Sequence, residues 1–333
     1  MLSFLDGVPD ELYDVSPAAV HEVLGGPTLI TVEGEREPPL FVSVLLHGNE
    51  PAGLFAMQRV LRAFRGRPLP RSLLLFVGNV SAAREGLRRL DGQPDYNRVW
   101  LGGDTPEHAM AARVLDEVRA RGAFASVDVH NNSGKNPHYA CVNTPDPGSL
   151  HLAARFAERA IYSTTPRGVL TSAMSPLCPS VTLECGHPDD EAGYALAARF
   201  IEELLALERI DVEERLPAGL RLYESAAVLC VPDAISFAFE GGADADLVFP
   251  RDLDELNFRE LSPGVPLARA RPGVSRPILA LCPDGADLTE RFFTVDDGRV
   301  LTREALVPSM LTLDARVIRQ DCLGYLLVPR DIM

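Results

Sequence analysis

The sequence predicts an α/β domain followed by a smaller, mainly β domain. Three observations carry that expectation. Up to residue 209, short continuous apolar runs alternate with stretches of helical period, as in a sheet covered by helices. After Ile210, proline and glycine separate short β-like runs at 220–223, 226–231, 247–249, 278–281 and 325–328. Finally, 333 residues exceed one typical core, so two domains are expected, 1–209 and 210–333.

The elements follow in chain order. Residues 16–24 read as a short capped helix stopped by Gly25-Gly26, and 28–32 as a strand. Residues 41–46 form an apolar run apart from Ser43, as expected of a strand buried on both faces. Pro51 suits a first helical turn, and Leu54, Met57, Leu61 and Phe64 keep helical spacing over 51–64. A second buried strand, 73–77, ends at Gly78-Asn79, and a polar, arginine-rich stretch covers 81–98. An amphipathic helix at 107–120 aligns Met110, Val114 and Val118 and closes at Arg121-Gly122. Strands are expected at 124–129, 139–142 and 181–183, and helices at 149–162 and about 189–209. Residues 301–313 fit strand and helix equally.

Composition narrows the partners. A net charge of −15 disfavours nucleic acid and anionic membrane surfaces, yet a few local cations still allow a small carboxylate-bearing substrate. Lys135 is the only lysine; the other cations are arginines, the better forks for a carboxylate. The six cysteines (141, 178, 185, 230, 282, 322) show no C-x-x-C spacing and read as reduced, buried thiols. No signal peptide and no apolar run of membrane-spanning length is visible, so a cytoplasmic protein is expected. Oligomeric state is left open.

Four polar residues fall at predicted strand ends or just beyond them: His47, Glu50, His130 and Glu184. Each alone has a plain structural explanation. A histidine after a strand is commonly a hydrogen-bonded core residue. Glu50 could be a first-turn acid favoured by the helix dipole, and Glu184 a buried carboxylate paired with an arginine. Four such groups along one sheet edge favour a site, because a buried charge needs a partner or a metal. His47, Glu50 and His130 form a His₂Glu set, a catalytic zinc pattern with an open fourth position. Glu184 is then the unbound carboxylate, placed to act as a general base. Asp128, two residues before His130 on the same strand face, could orient a ligand or face a helix dipole.

Taken together, His47-Gly48-Asn49-Glu50, Asp95-Tyr96-Asn97-Arg98, Asp128-Val129-His130-Asn131 and Leu183-Glu184-Cys185-Gly186 resemble the zinc carboxypeptidases. Within them the closest likeness is to the succinylglutamate desuccinylase/aspartoacylase family. The resemblance covers the N-terminal part of the chain, with the motifs in order. It implies a mixed central sheet flanked by helices and one Zn²⁺ per chain, held by His47, Glu50 and His130. It implies that Glu184 activates water and passes the proton to the leaving amine, and that Asn97 and Arg98 hold a substrate carboxylate. The sequence departs from the family pattern at Asn79-Val80-Ser81-Ala82, where a proline usually follows the asparagine. Counting on from Asn79 makes Arg88 the candidate to polarise the scissile carbonyl, with Arg84 and Arg89 as alternatives. The gap from Arg88 to Asp95 is two residues longer than the family's. Arg167 is a loose candidate for an acyl pocket. The implied activity is zinc-dependent hydrolysis of the amide bond of a small N-acyl amino acid. The alternatives are a metallocarboxypeptidase acting on peptides, an esterase, and a metal- or small-molecule-binding protein without turnover.

Overall fold

The computed structural model describes residues 1–212, 219–242, 244–282 and 284–331. The chain divides into two compact units. The first comprises 1–131 and 138–221; the second comprises 132–137 and 222–333.

The strands of the first unit are β1 (Ser3–Asp6), β2 (Thr28–Val32), β3 (Leu40–Val44), β4 (Leu73–Val77), β5 (Ala125–His130), β6 (Tyr139–Val142), β7 (Arg159–Tyr162) and β8 (Ser180–Glu184). Its helices are α1 (Val20–Leu24), α2 (Ala52–Ala63), α3 (Val80–Arg84), α4 (Pro106–Arg121), α5 (Pro147–Phe156), α6 (Leu170–Met174) and α7 (Glu191–Ala206). The strands lie in the order β1-β2-β4-β3-β5-β8-β6-β7. β4, β3, β5 and β8 run parallel, while β2 and β6 are antiparallel to β4 and β8, so the sheet is mixed.

The parallel centre is buried on both faces, which explains the apolar runs of β3, interrupted only by Ser43, and of β4. One face carries Val42, Val44, Val127 and Val129 under α2. There Gly53 lets the helix approach closely: a Cβ would lie 2.8 Å from Val44 Cγ1 and 3.0 Å from Val129 Cβ. The other face carries Phe41, Leu74 and Phe76, packed with Trp100, Met110, Val114, Leu170 and Met174. Phe76 and Trp100 meet edge to face with ring centroids 5.8 Å apart.

Some elements differ from the sequence expectation. The helix expected over 149–162 ends at Phe156, and Ala157 is extended. Residues Ala160, Ile161 and Tyr162 pair in parallel with β6 instead. Pairing at the sheet edge overrides the helical spacing of Leu152, Phe156 and Ala160. Strand β1 and helices α3 and α6 were not expected; each is five residues or fewer and too short to show a period. His130 and Glu184 are the last residues of their strands, at the strand ends the sequence predicts.

The second unit has β9 (Arg221–Cys230), β10 (Phe237–Phe239), β11 (Leu247–Phe249), β12 (Pro266–Ala270), β13 (Leu279–Leu281), β14 (Phe293–Asp296), β15 (Arg299–Thr302), β16 (Val307–Ser309) and β17 (Gly324–Arg330). Two short helices accompany them, α8 (Thr289–Phe292) and α9 (Ala315–Gln320). The ambiguous 301–313 stretch supplies the end of β15 and β16 rather than a helix. β9 pairs antiparallel with β13 and β17, and a five-stranded sheet runs β10-β11-β12-β15-β14. Leu229, Leu247, Phe249, Leu253, Phe292, Ile318 and Leu326 share its core. Residues 132–137 belong here because Asp254 Oδ2 accepts from Lys135 N (3.2 Å) and Asn136 Oδ1 from Met310 N (3.0 Å). Gly134 has no room for a side chain, since a Cβ would lie 2.0 Å from the Leu311 carbonyl oxygen.

All six cysteines are free thiols. Among the described residues, no helix is long and apolar enough to cross a membrane.

Candidate metal centre

His47 lies in the loop that follows β3. That loop turns sharply because Leu45 adopts φ 55°, a left-handed conformation unusual for a leucine. Gly48 is required by contact rather than by torsion. A Cβ there would stand 2.1 Å from Ala83 N and 2.2 Å from the Ala82 carbonyl carbon. The loop therefore rests directly on α3. Asn79 caps that helix, its Oδ1 accepting from Ala82 N at 3.1 Å. Val80 occupies the first helical position, where the family's proline would also fit, so its absence leaves the turn intact. Gly48→Ala is expected to lower stability by about 3 kcal/mol, at the upper end of overpacking penalties, because the clash is with backbone. Denaturant unfolding, with metal content as a second readout, checks it.

Glu50 precedes α2, whose first N–H groups need acceptors. Asn131 Oδ1 supplies one, accepting from Ala52 N at 2.9 Å, and Asn131 Nδ2 donates to the Gly186 carbonyl at 3.0 Å. Asn131 thus ties the ends of β5 and β8 to the start of α2. The sequence pattern included it without assigning this role.

His47, Glu50 and His130 converge, with one ligand atom from each lying within 4.8 Å of the others. Among the described residues no other such group of His, Cys, Asp or Glu occurs. The two imidazoles are arranged alike. Each Nδ1 faces Glu50: His47 at 2.8 Å from Oε1 and His130 at 2.7 Å from Oε2. Each Nε2 faces a second carboxylate: His47 at 3.0 Å from Asp95 Oδ1 and His130 at 2.8 Å from Asp128 Oδ2. A carboxylate on Nε2 fixes the proton there and turns Nδ1 inward as the donor atom, the usual outer support of a metal-bound histidine. The donor set, its burial and these outer carboxylates fit a Zn²⁺ ion.

The electrostatics match. Burial alone would raise the pKa of Glu50, but the charges of His47 and His130 and their hydrogen bonds hold it well below the usual carboxylate range. For Asp95, burial is likewise outweighed, by His47 and then by Arg88 and Arg98, so it too stays ionised far into acid. Burial opposes charge on His130, yet Asp128 and Glu50 raise its pKa well above normal. Without a metal, the raised pKa of His130 favours a proton on its imidazole, one that a bound cation would displace.

Of the three candidate arginines, Arg88 is the one at the centre. Its Nη1 is 3.4 Å from Glu50 Oε1 and its Nη2 donates to Asp95 Oδ2 at 3.0 Å. Arg84 pairs with Glu85 on the surface, and Arg89 donates to the Gln93 carbonyl. The longer loop before Asp95 is braced by Gln93, whose Oε1 accepts from Asn79 Nδ2 at 2.9 Å and Leu90 N at 3.1 Å. Asn97 is buried, its Oδ1 accepting from Leu170 N (2.9 Å) and its Nδ2 lying 3.4 Å from His130 Nε2. Arg98 is half-buried and donates to the Asn97 carbonyl at 2.9 Å. Gly168, beside exposed Arg167, packs on this turn: its carbonyl accepts from Trp100 N (3.1 Å), and a Cβ would lie 2.4 Å from Arg98 O.

Glu184 ends β8, with 6% of its surface exposed, in register with His130 on β5 and Tyr139 on β6. Register partners point to the same face, so its carboxyl accompanies the His130 imidazole. It is not part of the His47–Glu50–His130 group. Burial, and then the charge of Glu184, raise the thiol pKa of Cys141 and Cys185 well above normal, so neither thiol is a metal-ligating thiolate. Sequence reasoning assigned no role to Asp95, although it stands in the quoted motif. Its signal was there: it is the carboxylate two residues before Asn97.

Residues 37–207, just over half the chain, match the succinylglutamate desuccinylase/aspartoacylase catalytic domain. Comparison with curated protein sequences finds no match. Among solved structures, a succinylglutamate desuccinylase from Vibrio parahaemolyticus superposes with TM-score 0.61 at 13% identity, covering 91% of this chain and 86% of that one. A succinylglutamate desuccinylase/aspartoacylase from Rhodobacter sphaeroides gives 0.61 at 18% identity, covering 90% and 88%. Murine aminoacylase 3 gives 0.57 at 17% identity, covering 89% and 97%. These identities speak to the fold. The matched catalytic domain decides the family: the chain belongs to the succinylglutamate desuccinylase/aspartoacylase family.

Proposed function

We propose that the chain hydrolyses the amide bond of a small N-acyl amino acid, using one Zn²⁺ held by His47, Glu50 and His130. The observation that carries this reading is the buried His₂Glu group with Glu184 in register beside His130 and outside the group. A pure binding site has no use for such a base. When bound there, zinc would lower the pKa of a coordinated water to about 7 and polarise a carbonyl.

The chain's own residues do the rest. Glu184 takes a proton from the attacking water and returns it to the amide nitrogen as the C–N bond breaks, releasing a carboxylate and an amine. Arg88, oriented by Asp95, sets a fixed positive charge beside the ligands, where negative charge develops on the carbonyl oxygen. Arg98 and Asn97 hold the substrate carboxylate, and a guanidinium offers a two-pronged fork for it. Deacylation matches what the structural relatives' names state of them, desuccinylase and aminoacylase.

The test is a panel of N-acyl amino acids, peptides and esters offered to the zinc-loaded protein. Preference for acylated single amino acids supports the proposal; preference for peptides, or no turnover, overturns it. Within that panel, Arg98→Ala should weaken free-acid substrates by about 1.5–3 kcal/mol, the range of a charge-assisted contact. An amidated analogue should lose far less. Equal losses would show that Arg98 does not read a carboxylate.

A further inference from the structure

The sheet face below the metal centre is unexpectedly polar. His130 and Glu184 share the top row, since they are register partners. One row down, Ser43, Asp128 and Thr182 stand side by side on β3, β5 and β8. Below them Ser126 faces Ser180. All of these are buried. Buried polar atoms are as a rule hydrogen-bonded, because each one left alone forfeits its hydration.

Asp128 is fully buried. Its Oδ2 receives the His130 Nε2 proton, whereas its Oδ1 has no hydrogen-bond partner. The hydroxyls of Ser43, Ser126 and Ser180 are in the same condition. Register shows which polar side chains are lateral neighbours. Thr182 Oγ1 is engaged with Thr171 Oγ1. Ser126 lies between Phe41 and Ser180 in its row, so those two serines can serve each other. Ser43 lies between Phe76 and Asp128. The one polar neighbour in the Ser43 row is therefore Asp128, and the one uncommitted hydroxyl in the Asp128 row is Ser43. Strands stand about 4.8 Å apart, a gap that the Ser43 hydroxyl can close by rotation about its own side-chain bond while Asp128 keeps its His130 contact.

We propose that Ser43 donates a hydrogen bond to Asp128 Oδ1, making it a positioning residue that fixes the carboxylate and, through it, the His130 tautomer and ring. The inference rests on His130 being a ligand of the proposed metal centre. It adds a third tier to the support of that histidine: imidazole, carboxylate, hydroxyl. A buried charge held by two donors stays where one held by a single donor can swing.

The test compares Ser43→Ala with wild type in the full chain. Zn²⁺ affinity is read by competition with a chelator. Proton exchange of the His130 Nε2–H is read by ¹⁵N NMR on metal-free protein, the signal being assigned by its loss in His130→Gln. We expect Zn²⁺ to bind about 3–10-fold more weakly, less than the about 10–100-fold typical of losing a direct outer partner. Exchange of the Nε2 proton should accelerate, and Ser43→Thr, which keeps the hydroxyl, should restore both. If Ser43→Ala does not fold, Ser43→Cys, similar in size and a poor donor, is read in the same way. Unchanged Zn²⁺ affinity and exchange, with melting temperature equal, raised or lowered, would overturn the role, since an orphaned or merely structural hydroxyl moves neither. Wild-type protein that binds no Zn²⁺ would instead refute the metal centre, and the exchange measurement alone would then decide for or against Ser43.

Discussion

Glu184→Gln is expected to keep its metal and lose its turnover, with kcat falling by about 10²–10⁴-fold, the range for a positioned acid/base. The substitution preserves size and hydrogen bonding and removes only the proton-accepting carboxylate. Metal should stay because Glu184 lies outside the His47–Glu50–His130 group, although it is the register partner of His130. Metal analysis beside kinetics separates the outcomes. Near-full turnover would sink the proposed mechanism. Loss of metal would make Glu184 a ligand and reopen the role of Glu50. The flanking thiols do not compete for the role, since burial and the Glu184 charge keep Cys141 and Cys185 protonated.

The legible part of the site is the part the backbone writes in one place. β3, β5 and β8 are parallel neighbours, and short strand-like runs place His130 and Glu184 at strand ends and His47 and Glu50 in the loop after β3. That is why His47, Glu50, His130 and Glu184 could be picked from sequence. Asp95 and Arg88 were not legible in the same way. They sit in a loop whose course depends on Gln93 bracing, and a loop has no period. The choice among Arg84, Arg88 and Arg89 needed coordinates for the same reason. Likewise, residues 159–162 carry a spacing that a helix and a strand both accept, and only the β6 partner decides between them. Ser43 was invisible because a serine within an apolar strand gives no sign of facing Asp128 until register is known.

Removing a metal ligand should have the largest effect of all, and it should grade with distance from the metal. His47→Ala and His130→Ala are expected to abolish stoichiometric Zn²⁺ binding. Asp95→Asn, which removes only the carboxylate behind His47, should weaken it by about 10–100-fold. Full zinc content in both alanine proteins would refute the ligand set. The pH dependence follows from the same contacts. In metal-free protein the raised pKa of His130 means that metal must displace a proton, whereas Glu50 is already ionised and adds no proton of its own. Zn²⁺ affinity should therefore rise with pH while His130 remains protonated, with proton release on binding. Stability of the metal-free form runs differently. The His130 contribution is complete below its unfolded value of 6.5 and is lost as pH rises through the folded value. The Glu50 contribution is complete above its unfolded value of 4.5 and is lost as pH falls through the folded one. Both are complete between pH 4.5 and 6.5, so denaturation of metal-free protein should show its greatest resistance there. Zinc should extend that resistance upward in pH, because the cation replaces the proton that His130 would otherwise lose. A metal-free protein whose stability keeps rising well above that window would show that the charges at Glu50 and His130 are not coupled as their 2.7 Å contact requires.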